Sequence, residues 1–172
     1  ERMARIIFQR TFKEIAKNVP FDKMTIGTYK AYLIGYVNKK MIFDSYVKVY
    51  EEIGTKHGKR VGRQINKQIN QKDFTVDAFL NEFQKTLVKF LVDNEGSRIT
   101  SVRKSYIQYL TQIISKGVEE GKTLSMIATD MEKLIKSRSF YRWQALRIAR
   151  TETTAASNYA ATVSSSVSGV LM

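Results

Sequence analysis

Cysteine is absent from this chain. The fold therefore uses no disulfide and no thiolate zinc site. A single histidine, His57, excludes His-rich metal clusters and most chemistry that needs a pair of imidazoles. Proline occurs once, at Pro20, so little in the chain forbids helix. No apolar run approaches the ~20 residues that a membrane-spanning helix needs. Arg2, Arg5 and Arg10 interrupt the first apolar residues, so no signal-peptide pattern opens the chain. The chain begins at Glu1 without an initiator Met, which reads as a piece of a longer protein.

What is present is apolar enough to fold. Hydrophobic residues make up 43% of the 172 residues, which is not a disordered composition. The net charge is +13, which favours an acidic partner: nucleic acid, an anionic protein face or a lipid surface. That charge is uneven. Residues 1–70 carry fifteen cations and six acids, whereas residues 71–122 are almost neutral. The basic character belongs to the N-terminal part.

The apolar spacing is helical almost throughout. Ala4, Phe8, Phe12 and Ile15 define a first helix, which Asn18-Val19-Pro20 stops. Tyr29, Leu33, Tyr36, Phe43, Tyr46, Val47 and Tyr50 predict a second helix over residues 28–53, which Gly54 and Gly58 break or bend. Residues 75–92 carry a clean stripe from Val76 to Leu91, with Asp73 or Thr75 as N-cap. Asn94-Glu95-Gly96-Ser97 is the strongest turn signal and divides the chain. A helix then opens at Thr100 or Ser101 and stops at Gly121. Thr123 or Ser125 caps a short helix, and another follows over about 140–160. Residues 162–168, rich in Ser and Val, are poor helix formers. The expected fold is all-α: long amphipathic helices plus a small helical domain, with any sheet lying beyond Met172. Residues 1–95 read as a basic helical arm or interaction region, and residues 96–172 as the helical domain.

Two patterns carry possible function. From Ile53 to Gln71 the chain has Lys56, Lys59, Arg60, Arg63 and Lys67 and no acid. On a helix, Lys56, Arg60, Arg63 and Lys67 share one face, while Val61, Ile65 and Ile69 lie on another. Asn66, Gln68, Asn70 and Gln71 add neutral hydrogen-bonding groups. Such a face can follow phosphates, with affinity that falls steeply with salt. A solvated helix face is the bland alternative. Gly54-x-x-x-Gly58-Lys59-Arg60 lacks the spacing of a phosphate-binding loop. The tyrosines Tyr29, Tyr32, Tyr36, Tyr46 and Tyr50, interleaved with lysines, could stack on bases of a single strand, but their helical spacing favours a stripe that packs a core or a partner subunit.

The second pattern runs from Gln144 to Asn158. Ala145, Ala149, Ala155 and Ala156 let another helix approach closely. Arg150 and Glu152 are two residues apart and do not face each other, so each pairs with a different element. A Glu among small and apolar residues is paired if buried, because an isolated buried carboxylate is costly. No reaction centre is legible. Glu119 and Glu120 are adjacent, Asp130 and Glu132 are the nearest approach to an acid cluster, and Ser164, Ser165 and Ser166 have no local base. The expectation is no catalytic residue, no metal and no cofactor.

The segment Ile148-Ala149-Arg150-Thr151-Glu152 resembles the Ile-Ala-Arg-Thr-Glu helix of the Mu F-like head morphogenesis family, the minor head proteins of tailed phages. The order around it is similar too. A helix ends in Ile113-Ile114-Ser115-Lys116-Gly117-Val118-Glu119-Glu120-Gly121, Thr123-Leu124-Ser125-Met126-Ile127-Ala128 opens a short one, and Ala145 to Asn158 follows. The resemblance covers roughly residues 98–170. The family continues beyond a Gly-Val like Gly169-Val170 into a strand and a segment with Asp, Arg and His, where this chain stops at Met172.

The resemblance implies a low-copy virion component inside the capsid at the portal vertex, present in host cytoplasm during assembly. It would act in head assembly, DNA packaging or ejection, docking on portal or capsid proteins or on copies of itself. Arg147, Ile148, Ala149, Arg150, Thr151, Glu152 and Asn158 would form its structural motif, and the basic face would contact packaged DNA non-specifically. Two other readings stay open: a helical DNA-binding module with no virion role, and a purely structural portal or core subunit.

Overall fold

The computed structural model describes residues 1–68 and 74–169. Six α-helices account for most of them: α1 (Arg2–Lys17), α2 (Tyr29–Tyr36), α3 (Lys39–Gln68), α4 (Val76–Glu119), α5 (Leu124–Lys136) and α6 (Arg142–Val167). A single 3₁₀ turn, Phe21–Lys23, follows Pro20. There is no strand among the described residues. The all-α expectation is therefore met, and no described helix is long and apolar enough to cross a membrane.

Local signals fix several boundaries. Thr75 accepts a hydrogen bond from the Ala78 N–H and opens α4. Thr123 does the same for Met126 and opens α5. Gly121 takes a left-handed φ of 73° just after α4, which glycine adopts without strain. Asp73, the other candidate cap, lies outside the described residues, as do Ile69, Asn70, Gln71 and Val170.

Four expectations need correction. The stretch 94–97 is not a turn, because α4 runs through it for 44 residues, about 66 Å at the usual rise. Its polar side chains bond back along the helix instead: Asn94 to the Phe90 carbonyl and Thr100 to that of Gly96. Glu95 meanwhile turns inward and is 3% exposed. The expected start at Thr100 or Ser101 falls with it. Gly54 and Gly58 do not break a helix, since α3 continues through both to Gln68. The break falls earlier, at Val37, between α2 and α3. Residues 162–167 remain helical. Thr162 and Ser164 donate to carbonyls four residues back, and Ser164 also reaches the Gly58 carbonyl.

A division at residue 95 finds no counterpart. α6 packs most extensively on α3, and also on α1 and α4. One core contains Phe8, Phe12, Tyr46 and Phe83 from the first part and Tyr106, Phe140, Ala149 and Tyr159 from the second. The N-terminal helices are thus part of the bundle rather than an extended arm. Burial of large aromatics supplies most of the driving force. Tyr106 packs at a tilt against Phe12 and edge-on against Tyr141, while Phe90 lies flat on Tyr159 with ring centroids 4.0 Å apart.

Candidate nucleic-acid interface

The side of α3 that faces the bundle is built from glycine. Gly54, Gly58 and Gly62 recur every four residues and are all buried. Three phenylalanine rings occupy the space their side chains would fill. A Cβ at Gly54 would sit 2.5 Å from the Phe83 ring, at Gly58 2.1 Å from Phe79, and at Gly62 2.1 Å from Phe74. No real Cβ tolerates such contacts, so α3 and the phenylalanines approach as closely as backbone allows.

That seam sets where the cations point. Successive helical residues turn by about 100°, so a residue two positions from a seam glycine lies about 200° away, on the far side. Lys56 and Arg60 follow Gly54 and Gly58 by two. Lys56, Arg60, Arg63 and Lys67 are exposed and Lys59 is half-buried. All five, with Gln64, line one open hollow of about 490 Å³. The structure therefore brings the sequence-chosen basic residues together on one outward face.

Few groups offset their charge. Lys56 reaches Glu52 at 3.6 Å, one turn before the acid-free run. Among the described residues, no carboxylate lies within ion-pair distance of Lys59, Arg60, Arg63 or Lys67. Arg60 Nη2 approaches His57 Nδ1 at 3.3 Å. Burial, and then the Arg60 guanidinium, lower the His57 pKa, so the imidazole is mostly neutral at pH 7. Asn66 does not belong to the face. It donates to the Phe74 carbonyl at 2.9 Å and accepts from the Phe74 N–H at 3.2 Å, which seats Phe74 against Gly62.

The segment singled out on α6 splits between two sides. Ile148, Ala149 and Glu152 are buried, while Arg147, Arg150, Thr151 and Asn158 are exposed. Ala145, Ala149 and Ala156 are wholly buried, so they serve the internal packing of α6 and are not a surface for a partner. Thr151 bonds back to the Arg147 carbonyl. Arg150 pairs with Glu1 at 3.3 Å, whereas Glu152 looks into the bundle.

Glu152 sits in a polar group that the sequence did not reveal. Its side chain accepts from Tyr50 Oη at 3.2 Å and lies 3.7 Å from Arg98. Arg98 also meets Glu95 at 2.9 Å. Two buried carboxylates thus share one guanidinium. Burial first, and then the charge of Glu95, push the Glu152 pKa up to about 7. Arg98 and the Tyr50 hydrogen bond oppose that rise. Burial and the nearby Glu152 carboxylate raise the pKa of Tyr50 in turn, so the phenol remains a donor. The one sequence signal for Glu95 was its spacing of three from Arg98, and the apparent turn around Gly96 obscured it.

The hollow above Glu152 holds about 230 Å³ and is bordered by Arg98, Arg147, Gln144 and Thr151. No nucleophile there has an imidazole beside it. Among the described residues, no group of three or more acids, histidines or cysteines is placed to hold a metal ion.

The start of α1 touches both α3 and α6. Lys56 Nζ lies 3.8 Å from the Met3 sulfur, and Arg150 reaches Glu1. Arg2 is exposed. No family model, curated protein or solved structure matches the chain.

Proposed function

We propose that this chain is a helical structural component of a tailed-phage head that touches packaged DNA through α3 without reading sequence. The observation that carries the DNA contact is the convergence of Lys56, Lys59, Arg60, Arg63 and Lys67 on one outward hollow, with few acids to offset them. Duplex phosphates are neutralised by such a face, and counterion release makes the affinity salt-dependent. The virion setting rests on the likeness of the α6 segment to the minor head proteins. In this reading the chain docks at the portal vertex through surfaces other than the alanine stripe of α6, and it works by contact rather than by catalysis.

The test is retention on duplex DNA over a salt series, with Lys56, Arg60, Arg63 and Lys67 changed together to Gln. The expected result is weaker retention and a shallower dependence on salt, by at most about four units of log–log slope if each cation meets one phosphate. Unchanged retention at low salt makes the face a merely solvated one. Co-purification with capsids and portal separates the virion reading from a DNA-binding module outside the virion.

A further inference from the structure

Trp143 is the only tryptophan in the chain, and it is 77% exposed, more than any other large apolar side chain described. Its position follows from its neighbour. Tyr141, with a left-handed φ of 51°, is buried against Phe12, Tyr106 and Tyr109 and opens α6. Two residues on, the side chain emerges on the far side of the helix. Trp143 therefore does nothing for the core that Tyr141 does not already do.

Its surroundings are cationic. Between Glu132 and Glu152 the chain has Lys133, Lys136, Arg138, Arg142, Arg147 and Arg150 and no acid. Arg142, Arg147 and Arg150 are exposed on the first turns of α6. Trp143, Arg147 and Arg150 border one shallow hollow of about 360 Å³, with Gln144 and Leu146. Arg150 is only loosely held, by the half-exposed Glu1. A flat indole beside two guanidinium groups is the combination that binds a single strand: a base stacks on the ring while flanking phosphates meet the cations.

We infer that Trp143, Arg147 and Arg150 form a single-stranded nucleic-acid site, separate from the α3 face. Stacking needs an unpaired base, which a duplex does not offer. Sequence preference is not expected, because every base has a face to stack.

Being the sole tryptophan, Trp143 reports on its own site. Titration of the whole chain with a short oligothymidylate is expected to quench its emission to saturation, and the matching duplex to quench it far less. Trp143→Ala should weaken binding of a fluorescently labelled oligothymidylate about tenfold, the loss of roughly one stacked base. Trp143→Phe should recover part of that loss, and Arg147→Gln with Arg150→Gln should weaken binding while leaving the fold intact. Duplex retention through α3 should be unchanged in Trp143→Ala, and the α3 glutamine variant should still be quenched by oligothymidylate, so either site can fail without the other. No quenching by oligothymidylate, or equal affinity of the wild type and Trp143→Ala, overturns the inference. Quenching by poly-glutamate but not by oligothymidylate also overturns it and assigns the surface to an acidic polypeptide.

Discussion

Tyr50 Oη donates a hydrogen bond to Glu152 across 3.2 Å, joining α3 to α6 inside the bundle. That bond meets the one carboxylate among the described residues whose pKa is pushed strongly upward. The Glu152 pKa is about 7 in the folded chain against an ordinary 4.5. The folded state therefore holds this proton more tightly than the unfolded one. Its contribution to stability is complete below the unfolded pKa and is lost as pH rises through the folded value. Stability should fall by up to about 3 kcal/mol between pH 4.5 and pH 7 on this account. Glu152→Gln should remove the slope and be at least as stable as the wild type at pH 8. Urea melts across that range check it, and an unaltered slope in the variant would sink the assignment.

Glu152→Ala should be harmful without stranding a cation. Arg98 keeps Glu95 as its partner at 2.9 Å. What is lost is the acceptor for Tyr50, together with side-chain volume at the floor of the hollow. The cost should be about 1–3 kcal/mol, the usual cost of leaving a buried donor without a partner. Tyr50→Phe in the Ala background should recover much of it, because it removes that donor. Thermal melts of the two variants beside the wild type decide, and a double variant no better than Glu152→Ala counts against the pairing.

Gly58→Ala tests the seam. The new methyl group would fall 2.1 Å from the Phe79 ring, so either the ring or the helix must move. Overpacking of this kind costs about 1–3 kcal/mol. Phe79→Leu should partly relieve it, and the two changes should couple in a double-mutant cycle. Additive costs would mean that the ring and the glycine do not press on each other.

His57 lies among the basic residues of α3 without adding to them. Its pKa is below the ordinary 6.5. Lowering the pH from 8 to 7 should therefore bring little His57-dependent gain in duplex retention, and His57→Gln should retain DNA like the wild type over that range. A gain that disappears with His57→Gln would show a charged imidazole at the interface.

Asn66→Ala distinguishes a structural role from a DNA contact. It removes both bonds to the Phe74 backbone, and the cost should be about 1–3 kcal/mol because the Phe74 groups are left without partners. DNA retention per folded molecule should hold. Lost retention with unaltered melting would put Asn66 on the interface after all.

Helical periodicity was legible because the apolar residues repeat at three and four, and the threonine caps and Gly121 were legible because capping is local. The glycines of α3 misled because their purpose is tertiary. Gly54 and Gly58 look like breaks until Phe83 and Phe79 are seen lying on them, and Gly62 drew no notice at all. Asn94-Glu95-Gly96-Ser97 has the composition of a turn, but the burial of Glu95 beside Arg98 outweighs that local preference. The basic residues of α3 could be chosen from spacing alone because they share one helix face. Trp143 could not, since one aromatic residue in a sequence carries no sign of which way it points.

The ring-and-gap contact of α3 with α4 and with Phe74 just before it has a degeneracy. Gly62 meets Phe74, Gly58 meets Phe79 and Gly54 meets Phe83, so the two helices run in opposite directions. A slide of one helical turn would bring two of the three rings over glycine again. The seam thus fixes how close the helices lie but discriminates poorly between neighbouring axial alignments. Polar contacts break the tie. Asn66 locks α3 to Phe74 at the start of the seam, while Ser164 on the Gly58 carbonyl and Tyr50 on Glu152 fix α3 against α6, which Arg98 in turn ties to α4. Each of these fits a single alignment, much as one buried polar residue sets the stagger of a coiled coil. Loss of all three would leave a bundle that still collapses but no longer has one unique stagger, and the basic hollow on α3 would lose its fixed place relative to α6.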